Sequence, residues 1–385
     1  VVAVDDAAVR AAAEARRRLD EEMAAGGLWP RRSPWIRDAV ARLPRDEFAP
    51  ERLWDWDGRA WQPVDRDSDP DRWLELLYGD PHRAAATQVT EGRPTSSVSA
   101  QALVVDMLDS LRLEPGRRVL ELGTSPSAWN AALLAHRAGP GRVTTVEVDP
   151  GLAAAGAARL KAAGLDVEAI AGDGGLGHPA GAPYDRVVAT YAVERVPWAW
   201  IEQTRPGGHL VVPWGRLGHA ALTVAPDHTH ATGWMQGLAQ FMPDRTTTPT
   251  GPRDFTAVRA HTPPSGPEQH TTRDPEHLRT DWGLLFHLRV ALPELTITTA
   301  VDQDGTSAWI HDSAESWTTL STTPDGTYRT QGGPRHLADL LDDAWTRWEQ
   351  LGRPTGYDYG MTVTPDRQWI WHADPDNGPR WPDPT

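Results

Sequence analysis

The chain has 385 residues, no cysteine and a formal net charge of −15. The lack of cysteine excludes disulfides, zinc-thiolate sites and thiol nucleophiles, and the acidic balance argues against a broad nucleic-acid or anionic-membrane surface. No apolar run approaches the roughly 20 residues of a membrane span, and no signal peptide is visible, so a cytoplasmic location is expected.

Residues 5–25 read as a helix of Ala, Arg and Glu, ended by Gly26-Gly27. A second helix is expected from Pro34, with Ser33 as its N-cap. Residues 51–82 are rich in Trp, Asp and Arg and show few clear periods. Their Asp-x-Asp patterns at 55–57 and 67–69 lack the glycine and terminal Glu of a calcium loop, so they read as acidic loop and no metal is expected. Residues 98–111 read as a helix with Leu103, Val104, Met107, Leu108 and Leu111 on one face.

An alternation follows. Strands are expected at 117–122, 142–148, 166–171, 185–190 and 208–213, with helices at 128–138, 151–163 and 197–203 between them. Strand–helix–strand repetition with short turns predicts a doubly wound parallel α/β sheet, whose ligands sit beyond the carboxyl ends of the strands. Beyond about residue 245 comes a polar, Pro-rich linker. Then come mostly strand-like segments (284–301, 307–312, 316–322 and 327–332), a helix at 334–351 and a strand-like tail with a surface arm at 374–385. The expected organisation is an N-terminal helical, Trp-rich region at 1–82, a core at 83–245 and a C-terminal α+β recognition region at 246–385.

Three strand ends carry the candidate cofactor chemistry. Glu121, Gly123 and Thr124 close the first strand, followed by Ser125 and, in the next helix, Asn130. Glu147 and Val148 end the second strand; an acid there accepts hydrogen bonds from both ribose hydroxyls. Gly172-Asp173-Gly174 ends the third, where an Asp can hold an adenine amino group. The stretch "GTSPSAWN" lacks the second and third glycines of a dinucleotide loop, and no phosphate loop is present. A neutral or cationic adenosyl ligand needs fewer exposed N–H groups, and S-adenosylmethionine fits.

The motifs "ARLPRDEFAPE", "VLELGTSPSAWNAALLA", "VTTVEVDP", "YDRVVAT" and "RPGGHLVVPWG" occur in an order that resembles the protein-L-isoaspartate O-methyltransferase family over roughly residues 34–245. The flanking parts, with "SSVSAQALVVDML" and the end "GYDYGMTVTPDRQWIWHADPDNGPRW", resemble the actinobacterial methyltransferases of ATP-grasp peptide (graspetide) maturation systems. The resemblance implies an S-adenosylmethionine-dependent, Rossmann-like O-methyltransferase core with N- and C-terminal extensions. It implies methylation of an Asp carboxylate in a modified, cyclised precursor peptide with an acidic core, the ester then closing to an aspartimide. By the same resemblance Ser99 contacts the acceptor carboxylate or cofactor, Ser97 falls at the family Thr, Ser96 holds the loop, and Gln101 replaces the family proline.

Thr190, at the end of the fourth strand, is the remaining catalytic candidate, and Arg93, Arg195 and Arg205 are candidates to attract an acidic peptide. The cofactor loop has one residue more than the family stretch and is stiffened by Pro126. A carboxylate is already ionised at pH 7, so no strong base is needed; alignment and desolvation suffice. The expected partner is the peptide alone, with no nucleic acid or membrane, and the protein is expected to be a monomer. Two other readings stay open: isoaspartate repair of damaged proteins, and a degenerate methyltransferase that only holds a peptide.

Overall fold

A computed structural model describes residues 6–215, 217–246 and 254–382. Part of the expected linker and the last three residues of the tail lie outside the described residues. The chain divides into two compact units. One comprises 1–214, 219–233 and 363–367; the other comprises 215–218, 234–362 and 368–385. The first 82 residues therefore share a unit with the expected core.

In the first unit five parallel strands carry the core: β1 (Val119–Leu122), β2 (Val143–Glu147), β3 (Val167–Ala171), β4 (Tyr184–Ala189) and β5 (Thr204–Trp214). Their spatial order is β5-β4-β1-β2-β3. β1 and β4 are buried at every position, as expected of strands covered on both faces. The strand order reverses between β1 and β4, which sets a ligand crevice over their carboxyl ends. Helix α1 (Trp129–Ala138) follows β1, and α2 (Pro150–Ala162) follows β2. Asp149 caps α2 by accepting the Gly151 and Leu152 N–H groups, with Pro150 at the first turn.

The N-terminal region is less helical than its sequence suggests. Strands Arg52–Trp56 and Trp61–Asp65 pair antiparallel and join strands Ala85–Thr90 and Arg93–Val98 in a four-stranded sheet. The hairpin hides from a periodicity search because only Leu53 and Val64 are buried among its ten residues. The two Asp-x-Asp patterns serve local structure. Asp55 pairs with Arg72, Asp57 accepts the Arg59 and Ala60 N–H groups, and Asp69 caps the helix Pro70–Tyr78. Ser33 makes no side-chain cap; its carbonyl accepts the Ile36 N–H instead. The helix expected from residue 98 starts at Gln101, since the chain up to Val98 is strand.

The second unit holds an antiparallel five-stranded sheet ordered Gln269–Thr271, Gly326–Gly332, Trp317–Thr323, Thr306–His311 and Thr296–Val301. Helix Leu337–Gln350 packs on this sheet and against helix Trp282–Ala291. Leu284, Leu288, Ile310, Leu320, Leu341, Trp345 and Trp348 form the core. Residues 282–291 correct the strand expectation. Asp281 caps them by accepting the Leu284 N–H at 3.1 Å, and Pro293 follows two residues after the helix. An apolar run this short does not distinguish helix from strand by period. The surface-arm expectation also changes: Arg380–Trp381 pairs with Gln368–His372 as an added strand.

Candidate active site

The cofactor-loop candidates fall into an upper and a lower layer at the end of β1. In the lower layer Glu121 is fully buried. Its Oε1 accepts the Asn130 Nδ2–H at 2.7 Å, and its Oε2 accepts the Thr145 hydroxyl at 2.5 Å. Thr145 Oγ1 in turn lies 2.6 Å from Thr124 Oγ1. With Thr145 donating to Glu121, Thr124 donates to Thr145, so one carboxyl orients three polar side chains beneath the loop. Burial pushes the Glu121 carboxyl up to about 7, against those hydrogen bonds and with the help of nearby Glu147. Glu121, Asn130 and Thr124 therefore brace the turn from below.

The upper layer begins at Gly123, with φ of +99°, where a side chain is strained. A Cβ there would also collide with Thr190 Oγ1 and lie 3.0 Å from the Tyr191 ring. Thr190 donates its hydroxyl proton to the Gly123 carbonyl at 2.6 Å and reaches the Leu122 carbonyl at 3.2 Å. The one proton of that hydroxyl holds the turn, so Thr190 has none to give a substrate.

The Ser125-Pro126-Ser127 segment turns without glycines. Ser125 and Ala128 take left-handed conformations, φ +59° and +48°. Ser127 does not. Ser127 is buried instead, its hydroxyl 2.8 Å from that of Ser125. Gly156 of α2 lets the helix approach this loop, since its Cβ would meet the Ser125 carbonyl at 2.9 Å. Ser125→Val is expected to cost about 2 kcal/mol, because a β-branched residue resists the left-handed region. Ser125→Gly is expected to change stability by less than about 1 kcal/mol, relief of strain offsetting the added freedom of the unfolded chain. Urea unfolding of the two variants checks both values.

Glu147 ends β2, nearly buried, with each carboxylate oxygen accepting one backbone N–H: Ser125 at 2.9 Å and Asp149 at 3.2 Å. Each oxygen keeps a lone pair for a further donor. Val148 beside it is 39% exposed and Leu176 is 66% exposed, both at the carboxyl ends of adjacent strands. Asp173 is exposed and accepts the Gly175 N–H at 2.8 Å, capping a 3-10 turn with one oxygen. Gly172 and Gly174 flank it; a Cβ on Gly172 would meet nothing closer than 3.9 Å.

Ser97 lies on the edge strand Arg93–Val98, opposite Ala86. Ser99, half-buried, follows that strand, and its carbonyl accepts Arg45 Nη2–H at 2.7 Å. Ser96 is buried. Arg205 is engaged with the buried Asp185 at 2.8 Å, and Arg195 reaches the Asp366 carbonyl at 3.5 Å.

Arg45 ties these parts together. It is fully buried, donates to the Leu77, Val98 and Ser99 carbonyls, and lies 5.6 Å from the Trp129 ring at the start of α1. Burial without a carboxylate partner pushes it down to about 10, so it stays a cation at neutral pH. Arg45→Leu is expected to destabilise by about 4 kcal/mol, because three buried carbonyls lose their donor. A fall in the denaturant midpoint checks it.

The reversed strand order, the glycine turn and the acid one strand over define a doubly wound α/β enzyme with its site on the strand ends. Residues 30–232 match the family model described as "Protein-L-isoaspartate(D-aspartate) O-methyltransferase (PCMT)". The protein-L-isoaspartate O-methyltransferase of Ignicoccus hospitalis is 34% identical over 203 residues, 52% of this chain and 82% of that protein. That of Methanopyrus kandleri is 35% identical over 217 residues, 56% and 81% of the two chains. A solved structure titled protein-L-isoaspartate O-methyltransferase is 18% identical and superposes with a TM-score of 0.49, covering 93% of this chain and all of the other. The chain belongs to the protein-L-isoaspartate(D-aspartate) O-methyltransferase family. It is an S-adenosylmethionine-dependent carboxyl O-methyltransferase, with residues 233–385 outside the matched region.

Among the described residues no helix is long and apolar enough to cross a membrane, and no group of three or more His, Asp or Glu could hold a metal ion. Sequence reading gave no role to Tyr191, Leu176, Gly156 or Trp200; a leucine in a glycine-rich turn was the one signal.

Proposed function

We propose that this enzyme methylates an Asp side-chain carboxylate in a cyclised, ribosomally made peptide with an acidic core. One observation carries the reading. Residues outside the family match build a second compact unit with its own core, centred on Leu284, Leu320 and Trp345. A dedicated peptide needs added recognition surface, while a repair enzyme that accepts many damaged chains does not.

The residues at the strand ends fit the cofactor. The two open lone pairs of Glu147 suit the ribose hydroxyls, and the free oxygen of Asp173 suits an adenine amino group. Val148 and Leu176 offer exposed apolar cover for a flat base. Gly172 leaves the backbone open to close approach. S-adenosylmethionine, when bound, supplies an electrophilic methyl group on a sulfonium.

The protein's remaining tasks are to orient a carboxylate, exclude water and hold the peptide in line. Ser97 and Ser99 are the hydroxyls proposed to orient it. In the product the next backbone amide nitrogen attacks the ester carbonyl, methanol leaves, and an aspartimide remains. The names of the curated relatives support a second reading, repair of isoaspartyl sites. Incubation of the full chain with cofactor and each substrate, followed by mass spectrometry, separates the two. The proposal expects the cyclised precursor to gain one methylene and then show a net loss of one water. Turnover of a generic isoaspartyl peptide, with the precursor untouched, sinks it.

A further inference from the structure

Sheet edges expose unpaired N–H and C=O groups, and this chain blunts most of its own. In the four-stranded sheet the edge strands Trp61–Asp65 and Arg93–Val98 carry Pro63 and Pro94. The edge strand β3 carries the exposed Glu168. Gln269–Thr271 and Arg380–Trp381 are only three and two residues long. Thr296–Val301, the other edge of the five-stranded sheet, is the exception. It runs six residues in unbroken register with Thr306–His311 and holds no proline, glycine or charge. Its Thr298, Ala300 and Val301 are exposed.

The hairpin's hydrogen bonds show which backbone groups face outward. The Asp302 N–H donates to the Gly305 carbonyl at 3.0 Å, so these two form a hydrogen-bonded pair. Antiparallel pairs alternate between bonded and non-bonded. Thr296, Thr298 and Ala300 therefore bond to Thr306–His311. Ile297, Thr299 and Val301 turn their N–H and C=O groups away from the sheet. Among the described residues nothing pairs with those outward groups.

Size and charge say what fits there. A second copy pairing along six residues makes a contact about 20 Å long and about 10 Å thick, roughly 400 Å² over both sides. A stable pair needs about 1,000 Å². A symmetric register about Thr299 also sets Glu294 against Asp304 of the copy. A single extended peptide asks for no more than the strand. The turn at one end carries the exposed Asp302 and Asp304, which favour a basic residue beside them.

Resting on the peptide-substrate reading above, we infer that Thr296–Val301 receives an extended, non-acidic segment of that substrate as an added strand. The segment is a β-branched stretch with a lysine or arginine beside Asp304. The backbone ladder supplies affinity, and alternate side chains supply selectivity.

Fluorescence anisotropy of a labelled peptide, three Thr-Val repeats followed by two lysines, tests this on the full chain. The unaltered chain is expected to bind it with a Kd below about 1 mM. Thr299→Pro removes one outward N–H and spares the ladder to Thr306–His311. It is expected to keep the urea midpoint, lose about tenfold in peptide affinity and raise KM for the cyclised precursor about tenfold at unchanged kcat. Val301→Pro is a second variant of the same kind. Wild-type affinity in both proline variants overturns the proposal, as does a probe that the unaltered chain does not bind. A dimer in ultracentrifugation that either variant dissolves puts a second copy on the edge and also overturns it. If the probe binds this edge but the unaltered chain methylates no cyclised precursor, the substrate reading fails, a result distinct from these.

Discussion

Gly123→Ala is expected to abolish cofactor binding and to destabilise the first unit by about 3 kcal/mol, the left-handed backbone and the overlap with Thr190 each contributing one to two. The affinity loss is expected to exceed about 100-fold, because the turn must move and Thr190 with it. Gly172→Ala is the informative companion. Its Cβ meets only Ile170 and Val146 methyls at 3.9 Å, so the fold accommodates it. It is expected to leave the urea midpoint unchanged yet weaken S-adenosylhomocysteine measurably by calorimetry. Unchanged affinity in both variants removes the glycine turns from the site.

The second large effect concerns Glu121. Its native carboxyl stands at about 7 against an ordinary 4.5, so the folded protein keeps a proton that the unfolded chain has lost. Unfolding free energy from this group is greatest below pH 4.5 and falls by about 3 kcal/mol as pH rises to about 7, then levels. Glu121→Gln retains an acceptor for Thr145 and does not titrate, and Asn130 can turn its amide to match. Unfolding of both proteins at pH 5 and pH 8 gives the result directly. The wild type is expected to lose about 3 kcal/mol more than the variant over that interval. Parallel losses contradict a protonated, buried carboxyl. Glu121→Ala leaves the Asn130 amide and the Thr145 hydroxyl without their acceptor and removes the titrating carboxyl, so its cost relative to the wild type is expected to be greatest at pH 5 and smaller at pH 8.

The parallel core was legible because its strands are short apolar runs between helical periods, the first three ending at a glycine or an acid. Glu147 and Asp173 could be placed at strand ends from that position alone. Glu121 could not be placed so well. Its position says strand end, but its layer depends on Thr145, a residue on the neighbouring strand. The loop was legible as altered, not in which residues carry the strain. Ser125 and Ala128 take left-handed conformations without being glycine, and Ser127 is a buried hydroxyl. In the second unit residues 282–291 lack a polar face and so lack a readable period. Tyr191 and Arg45 matter through spatial neighbours far apart in sequence, such as Gly123, Gly174 and Ser99.

The central claim is that a loop without the usual glycines still holds the adenosyl cofactor, with Glu147 on its ribose. Thermal unfolding in the presence of S-adenosylhomocysteine tests it most directly. Ligand at 100 times its dissociation constant is expected to stabilise the wild type by about 2.7 kcal/mol, seen as a concentration-dependent rise in Tm. The rise is expected to be absent in Glu147→Ala at the same ligand concentrations. A wild-type Tm that does not move at millimolar ligand contradicts the account.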